Sequence, residues 1–309
     1  MSTFPDGVFQ YGGQPVGGAY FSSPWATAWF VDGTNGNDNN SGLKPTEAFD
    51  TVQAAVTKAG RGDIIYIRPL TYTTDASDVN RYIEAITVPY ATADLSLIGV
   101  SNTNPGNPNY GAKLQYTATS GTCLTVNAPA CHLENICVRA EGATNGVYFY
   151  GVGTGDDYAT YAGSCGPTMN NVVVRGGTYG VQAVSGYAGY IANCRFEGGT
   201  SQSSSIYLDG NASPMRRYVV RDCHFDSFNG VAIDNAYIRI RSNTDLLVYR
   251  CTFDIKPTDG YYINATGSNL GLIAHCWFGE ADLDTDNEII QGGLMVVDCM
   301  DVAGHAATT

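Results

Sequence analysis

Basic residues are scarce in this chain of 309 residues: Lys and Arg total 16 against 29 Asp and Glu, a formal net charge of −13. Only four lysines occur, Lys44, Lys58, Lys113 and Lys256. Without a basic run or stripe there is no footprint for nucleic acid and no polybasic attraction to an anionic membrane, so neither is expected as a partner. Charged residues make up only 15% of the chain. No apolar run approaches the roughly 18 residues of a membrane-spanning helix, and no basic segment leads an apolar one at the start. Neither a leader peptide nor a membrane helix is expected. His is equally sparse, and His132, His224, His275 and His305 have no metal-ligand spacing. The run Asp282-x-Asp284-x-Asp286-Asn287-Glu288 has Asn287 where a calcium loop needs Gly and Gly293 where it needs Glu, which excludes an EF-hand. Neither a phosphate-binding glycine loop nor a nucleophile motif is present. No metal and no cofactor is expected.

What the chain does have is 37 Gly, 21 Tyr and a hydrophobic share of 44%. That mixture suits many short strands and turns rather than long helices, and it excludes global disorder. Nine Cys is an odd number, and five of them occupy one repeated slot.

The repeat is Ile191-Ala192-Asn193-Cys194-Arg195-Phe196-Glu197. It returns as Val220-Arg221-Asp222-Cys223-His224-Phe225-Asp226, as Val248-Tyr249-Arg250-Cys251-Thr252-Phe253-Asp254 and as Ile273-Ala274-His275-Cys276-Trp277-Phe278-Gly279. A worn copy ends at Cys299, and two earlier copies put Ile136 and Val172 in the Cys slot. The slot thus falls at 136, 172, 194, 223, 251, 276 and 299, in steps of 36, 22, 29, 28, 25 and 23 residues. A small apolar residue returning at such intervals marks a solenoid. Stacked coils place the slot residues in a ladder at about 4.8 Å. Side chains pointing the same way are poorly disposed for disulfides, so reduced Cys as buried filler is expected, and with it a reducing cytoplasm. The aromatic two residues on faces inward with the Cys, and the residue between them faces solvent.

A second strand series follows the slot: Gly146-Val147-Tyr148-Phe149, Gly180-Val181-Gln182-Ala183, Ser205-Ile206-Tyr207-Leu208, Gly230-Val231-Ala232-Ile233 and Gly260-Tyr261-Tyr262-Ile263. Its leading Gly or Ser suggests a tight bend. Cys123-Leu124-Thr125-Val126 and Tyr237-Ile238-Arg239-Ile240 are candidates for a third face. Seven to nine parallel coils are expected, with an unpacked last rung that the tail or a neighbouring subunit must cover.

Ahead of the repeats, Trp29-Phe30-Val31-Asp32 reads as a strand. A Gly/Asn loop and a helix beginning at Pro45 and Thr46 follow, with Phe49, Val52, Ala55 and Val56 on one face and Gly60 and Gly62 at its end. Asp63-Ile64-Ile65-Tyr66-Ile67-Arg68-Pro69 is the first full strand, and 71–73 continue it. Residues 29–73 resemble the N-terminal cap of right-handed parallel β-helix proteins of the pectate-lyase-like superfamily. The resemblance implies an all-β, single-stranded right-handed parallel β-helix with an N-terminal cap helix and an extended N-terminal arm. The expected divisions are an arm at 1–28, a cap at 29–62 and the β-helix at 63–309. The arm has no strand or helix period yet carries Phe4, Pro5, Phe9, Tyr11, Tyr20, Phe21 and Trp25, which flexible linkers seldom do. It either folds back along its own body or docks on another protein.

Enzymes of the superfamily mostly cleave acidic polysaccharides. Here the Gly-His-Gly and Arg-x-Lys signatures of polygalacturonase-like hydrolases are missing, as is a calcium-holding acidic trio beside Arg139 and Arg175. No catalytic residues are therefore assigned first. The alternative pairs are Asp226 with Asp254, which share a slot on consecutive coils with Glu197 before them, and Asp156 with Asp157 in the insertion 151–166. All three slot carboxylates are expected to point outward, on what reads as a solvated strand face. The resemblance extends to bacteriophage spikes and head-decoration proteins. It implies a homotrimeric structural virion protein, assembled in the host cytoplasm and anchored to the major capsid protein or another virion protein by its arm. The alternative is a tailspike-type receptor-binding protein or depolymerase, a glycoside hydrolase or polysaccharide lyase acting on a host surface glycan.

Overall fold

The structure is a computed structural model, and it describes residues 10–11, 14–15, 26–70, 81–100, 111–140, 145–150, 165–198, 202–210, 214–227, 235–254, 261–279, 289–290 and 293–301. Three sheets of 11, 9 and 8 strands run the length of the repeats, and every pairing within them is parallel. One coil shows the plan. Tyr190–Ala192 lies in the first sheet, Arg195–Gly198 in the second and Ser204–Asp209 in the third, and Met215–Arg221 returns to the first beside the strand it left. The expected solenoid is there, because inward residues of all three faces are apolar and one hydrophobic core runs through the coils.

The recurring heptad is not one strand but two, broken at the residue before the Cys slot. Asn135, Asn171, Asn193, Asp222, Arg250, His275 and Asp298 all take φ between 51° and 55°. This left-handed conformation turns the chain from the first sheet to the second, and Asn or Asp tolerates it best because a short polar side chain bonds locally. The turns also bond to one another. Asn171 Nδ2 donates to Asn135 Oδ1 at 2.7 Å, and the Asn193 amide donates to the Arg221 carbonyl at 3.2 Å. Arg250 and His275 lack that local amide, and Arg250 is held instead by Asp222, Nε to Oδ1 at 2.8 Å.

The slot cysteines are buried, and none of the nine forms a disulfide. Each slot thiol lies near the carbonyl two residues back, at 3.1 Å for Cys194 and Cys223 and 3.4 Å for Cys276. Phe196, Phe225, Phe253 and Phe278 stack in a column with centroids 4.9, 4.6 and 4.9 Å apart and planes within 9° of parallel. The rung spacing imposes this face-to-face order.

Three expectations need correcting. Thr122–Val126 and Ala236–Arg241 are not a third face; both belong to the third sheet, with Asn145–Tyr150, Tyr179–Val184, Ser204–Asp209 and Tyr261–Thr266. The missing face is the half of the heptad before the left-handed turn, and residues 230–233, read as a strand of the second series, lie outside the described residues. Gly146 and Gly180 sit inside strands rather than at bends: a Cβ on Gly146 would come within 2.5 Å of the Gly180 carbonyl oxygen, so close approach of the next rung requires them. The helix α1 spans Val52–Lys58, not from Pro45 on. Pro45–Glu47 is a single 3-10 turn, and Phe49 then pairs by backbone with Phe30 and Asp32, which keeps that stretch extended.

α1 begins at Thr51, whose side chain accepts from the Ala54 amide, and the amides of Val52 and Gln53 donate to the Glu84 carboxylate at 2.9 Å each. Val52, Ala55 and Val56 join the same core as Ile65 and Ile67. The strands Ala28–Val31 and Ile64–Ile67 are paired as expected. Asp63 ties them further, accepting from the Thr27 amide at 2.7 Å and from Trp29 Nε1 at 2.8 Å. Of the arm, Gln10–Tyr11 and Gln14–Pro15 form a short antiparallel pair. Phe4, Pro5, Phe9, Tyr20, Phe21 and Trp25 lie outside the described residues, as do 71–73, the tail after Asp301 and the Asp282 to Glu288 run. No helix among the described residues is long and apolar enough to cross a membrane.

Candidate functional site

The outer face of the second sheet gathers the charged side chains. Residues alternate inward and outward along each strand, so Arg195 and Glu197 flank the inward Phe196, as His224 and Asp226 flank Phe225. Parallel register then builds a column across coils: Gln115, Arg139, Arg175, Glu197 and Asp226 are consecutive partners, and Asp254 follows directly after the Phe225–Phe253 pair. The neutral Gln115 opens the column, Arg139 and Arg175 follow, and acidic side chains occupy the later rungs.

The pairing of Asp226 with Asp254 on neighbouring rungs is present. Their carboxylates do not stand alone. Arg195 Nη2 donates to Asp226 Oδ2 at 2.9 Å, and His224 Nε2 lies 2.9 Å from Asp254 Oδ2. Arg195 Nε also lies 3.2 Å from Glu197 Oε1, so one guanidinium spans two rungs. The expectation that all three carboxylates face solvent is wrong for Glu197, which is only 3% exposed. It does point away from the core, but the Arg195 side chain lies against it. Burial pushes the Glu197 carboxyl above the usual carboxylate range, with Asp226 acting in the same direction and Arg195, Arg175 and Arg139 against it. Its Oε2 is buried without a hydrogen-bond partner among the described residues.

Sequence reasoning missed two members of this group. Arg195 and His224 occupy the position between Cys and Phe, which had been set aside as plain solvent-facing; period-2 alternation places it on the same face as the carboxylates. His224, expected to have no metal-ligand companions, has Asp226 and Asp254 beside it, with one donor atom from each within 4.8 Å of the others. Spacing along the chain could not show this, since Asp254 is on another rung. Arg139 and Arg175 are register partners, as the repeat alignment implied. Asp156 and Asp157 lie outside the described residues.

Aromatic and polar side chains share the outer face of the third sheet. Tyr179 stacks on Tyr207 with centroids 4.7 Å apart, and Arg239 lies over the Tyr207 ring at 5.2 Å. At the helix end of the molecule, Tyr82, Arg81 and Glu84 line a cavity of about 190 Å³, rungs away from the carboxylates.

A model of the right handed beta helix region matches residues 158–298. The chain is a right-handed parallel β-helix. No curated protein matches it. Among solved structures, ORF18 of Geobacillus virus E2 is 14% identical with a TM-score of 0.45, the alignment covering 89% of this chain and 60% of that one. A pectin methylesterase from Aspergillus niger is 12% identical, TM-score 0.48, over 93% and 88% of the two chains. A GH136 lacto-N-biosidase from Eubacterium ramulus is 10% identical, TM-score 0.48, over 88% and 57%. This β-helix therefore spans well under two thirds of the length of the phage protein. Shared activity does not follow from a shared fold.

Proposed function

We propose that this β-helix is a structural virion protein of a bacteriophage, a head-decoration, cement or spike protein that stands on the particle as a homotrimer. The observation that carries the proposal is the pairing of an aromatic arm with a stiff rod: six aromatic residues in 1–28 precede coils locked by continuous Cys, Phe and turn ladders. Phe4, Pro5, Phe9, Tyr11, Tyr20, Phe21 and Trp25 would bury apolar area on the major capsid protein or another virion protein. α1 would close the first rung. Trp277, Met295 and Met300 are 39%, 61% and 52% exposed on the last described rungs, and such apolar side chains favour self-association there. Three arms on one particle turn weak single contacts into durable attachment.

Deleting residues 1–25 tests the proposal on parent phage heads lacking the protein. The full chain is expected to bind at many copies per head, and the truncated chain to stay folded in circular dichroism but not bind. Undiminished binding after truncation would overturn it.

Glu197 beside Asp226 favours a second reading, a tailspike-type protein acting on host surface glycan. Burial raises the Glu197 carboxyl beside the arginine-paired Asp226, and glycosidases divide acid and nucleophile roles between two carboxyls whose surroundings differ in this way. Release of reducing ends or unsaturated sugars from host polysaccharide, abolished in Glu197→Gln and in Asp226→Asn, would support it. Copies confined to the tail would also favour it over decoration.

A further inference from the structure

The acidic end of the second-sheet column has the makings of a metal centre. We propose that His224, Asp226 and Asp254 bind one divalent transition-metal ion of the zinc or cobalt class, linking two successive coils. His224 and Asp226 are two residues apart on one strand and so share its outer face, and Asp254 projects from the next rung in the column of Asp226. Their donor atoms lie within 4.8 Å of one another, a spread a single ion closes with small rotamer changes. Two rigid, hydrogen-bonded strands fix the three positions before any ion arrives.

The surroundings supply a separate reason to place positive charge there. Glu197, one rung earlier in the column, is 3% exposed, and its Oε2 has no hydrogen-bond partner among the described residues. Arg195 bridges the Glu197 and Asp226 carboxylates, so both face the same guanidinium and the same side of the sheet. A buried acceptor without a donor is costly, and a cation at Asp226 and Asp254 offsets that cost. Arg195 engages Asp226 through Oδ2 only, which leaves Oδ1 for the ion, and it orients that carboxylate as outer-shell partners of metal ligands do. One imidazole nitrogen with two carboxylates suits zinc, cobalt or nickel better than calcium, which prefers oxygen donors alone. Three protein ligands leave a coordination position for water. The ion would displace the His224 to Asp254 contact, trading one hydrogen bond for two ligand bonds.

The test uses the full chain, stripped with chelator and titrated with Co²⁺ while visible absorption is recorded, and with Zn²⁺ by calorimetry. One ion per chain is expected, with a rise in Tm on loading. His224→Gln and Asp254→Asn should each weaken binding at least tenfold while keeping the metal-free Tm, and Asp222→Asn, which loses its pairings with Arg221 and Arg250 but touches none of the three ligands, should bind as the parent does. X-ray absorption on the Zn²⁺-loaded parent should show nitrogen and oxygen neighbours near roughly 2.0–2.1 Å, including one imidazole. No saturable binding up to millimolar Co²⁺, binding untouched by both ligand variants, or a shell of sulfur would overturn the proposal. The absorption spectrum of the parent decides the matter even if a variant fails to fold.

Discussion

Replacing Phe253 by alanine removes the middle ring of the aromatic column. Phe253 is fully buried and stacks on Phe225 at 4.6 Å and on Phe278 at 4.9 Å, with the edge of Tyr262 at 5.9 Å. Truncating a buried Phe to Ala costs about 3–5 kcal/mol in transfer and cavity terms. Each lost ring contact adds about 0.5–1.5 kcal/mol, part of it already counted in the burial. The expected loss is therefore about 4–6 kcal/mol. Phe278 makes an instructive contrast, because its partner on the far rung is Asp301 rather than an aromatic ring. Phe278→Ala loses one stack fewer and should cost about 1 kcal/mol less than Phe253→Ala. Phe253→Leu keeps most of the volume and should cost no more than about 1–2 kcal/mol. Urea unfolding followed by far-UV circular dichroism, with the slope of the transition compared across variants, reads all three. In a solenoid each rung contacts only its neighbours, so the order of costs is the sharper test. A loss under about 2 kcal/mol for Phe253→Ala, or a larger loss at Phe278, would refute the claim that stacked rings stabilise adjacent coils.

Three other outcomes follow from the same geometry. Asn171→Ala, which keeps φ at 52° and loses the 2.7 Å bond to Asn135, should cost about 2–3 kcal/mol by calorimetry, against about 1 for Asn171→Gly, which has no φ penalty; a glycine variant less stable than the alanine one would contradict the turn ladder. Burial raises the Glu197 carboxyl in the folded state, so its contribution to stability is full below the unfolded value and is lost as pH rises through the folded one. Glu197→Gln should therefore gain on the parent progressively as pH rises from about 4 through that range, measured as Tm against pH; a difference that shrinks with pH would reverse the sign. Burial pushes Cys137 up to about 11, and the hydrogen bond that Cys276 donates to Cys251, together with burial, pushes Cys276 up to about 12. Cys251 accepts from its neighbours and is lowered instead, so there burial alone must exclude the reagent; at pH 8 the native protein should resist iodoacetamide at every Cys except the half-buried Cys165, and take label at all nine once unfolded, as peptide mass mapping will show.

The heptad around Cys194 was legible as a repeat, and the repeat implied a solenoid, because only inward positions on stacked coils need a small residue and then an aromatic at fixed offset. The alignment of slots even placed Asp226 beside Asp254. The break within each heptad was not read, although Asn135, Asn171, Asn193, Asp222 and Asp298 all precede the slot and carry the residue types that tolerate a left-handed backbone. The late start of α1 was illegible for a different reason. Phe49 has a helical spacing with Val52 and Val56, and backbone bonds to Phe30 and Asp32, nearly twenty residues earlier, hold it extended.

By itself, then, the sequence determined the coil: its period, its inward ladders, its reduced thiols and its acidic balance all follow from which residue types recur and at what interval. Tertiary structure alone decided the site. The burial of Glu197, the span of Arg195 across two rungs and the meeting of His224 with Asp254 depend on parallel register. Register sets residues about thirty positions apart in the chain side by side at the strand spacing of about 4.8 Å, and side-chain reach then settles which charges pair.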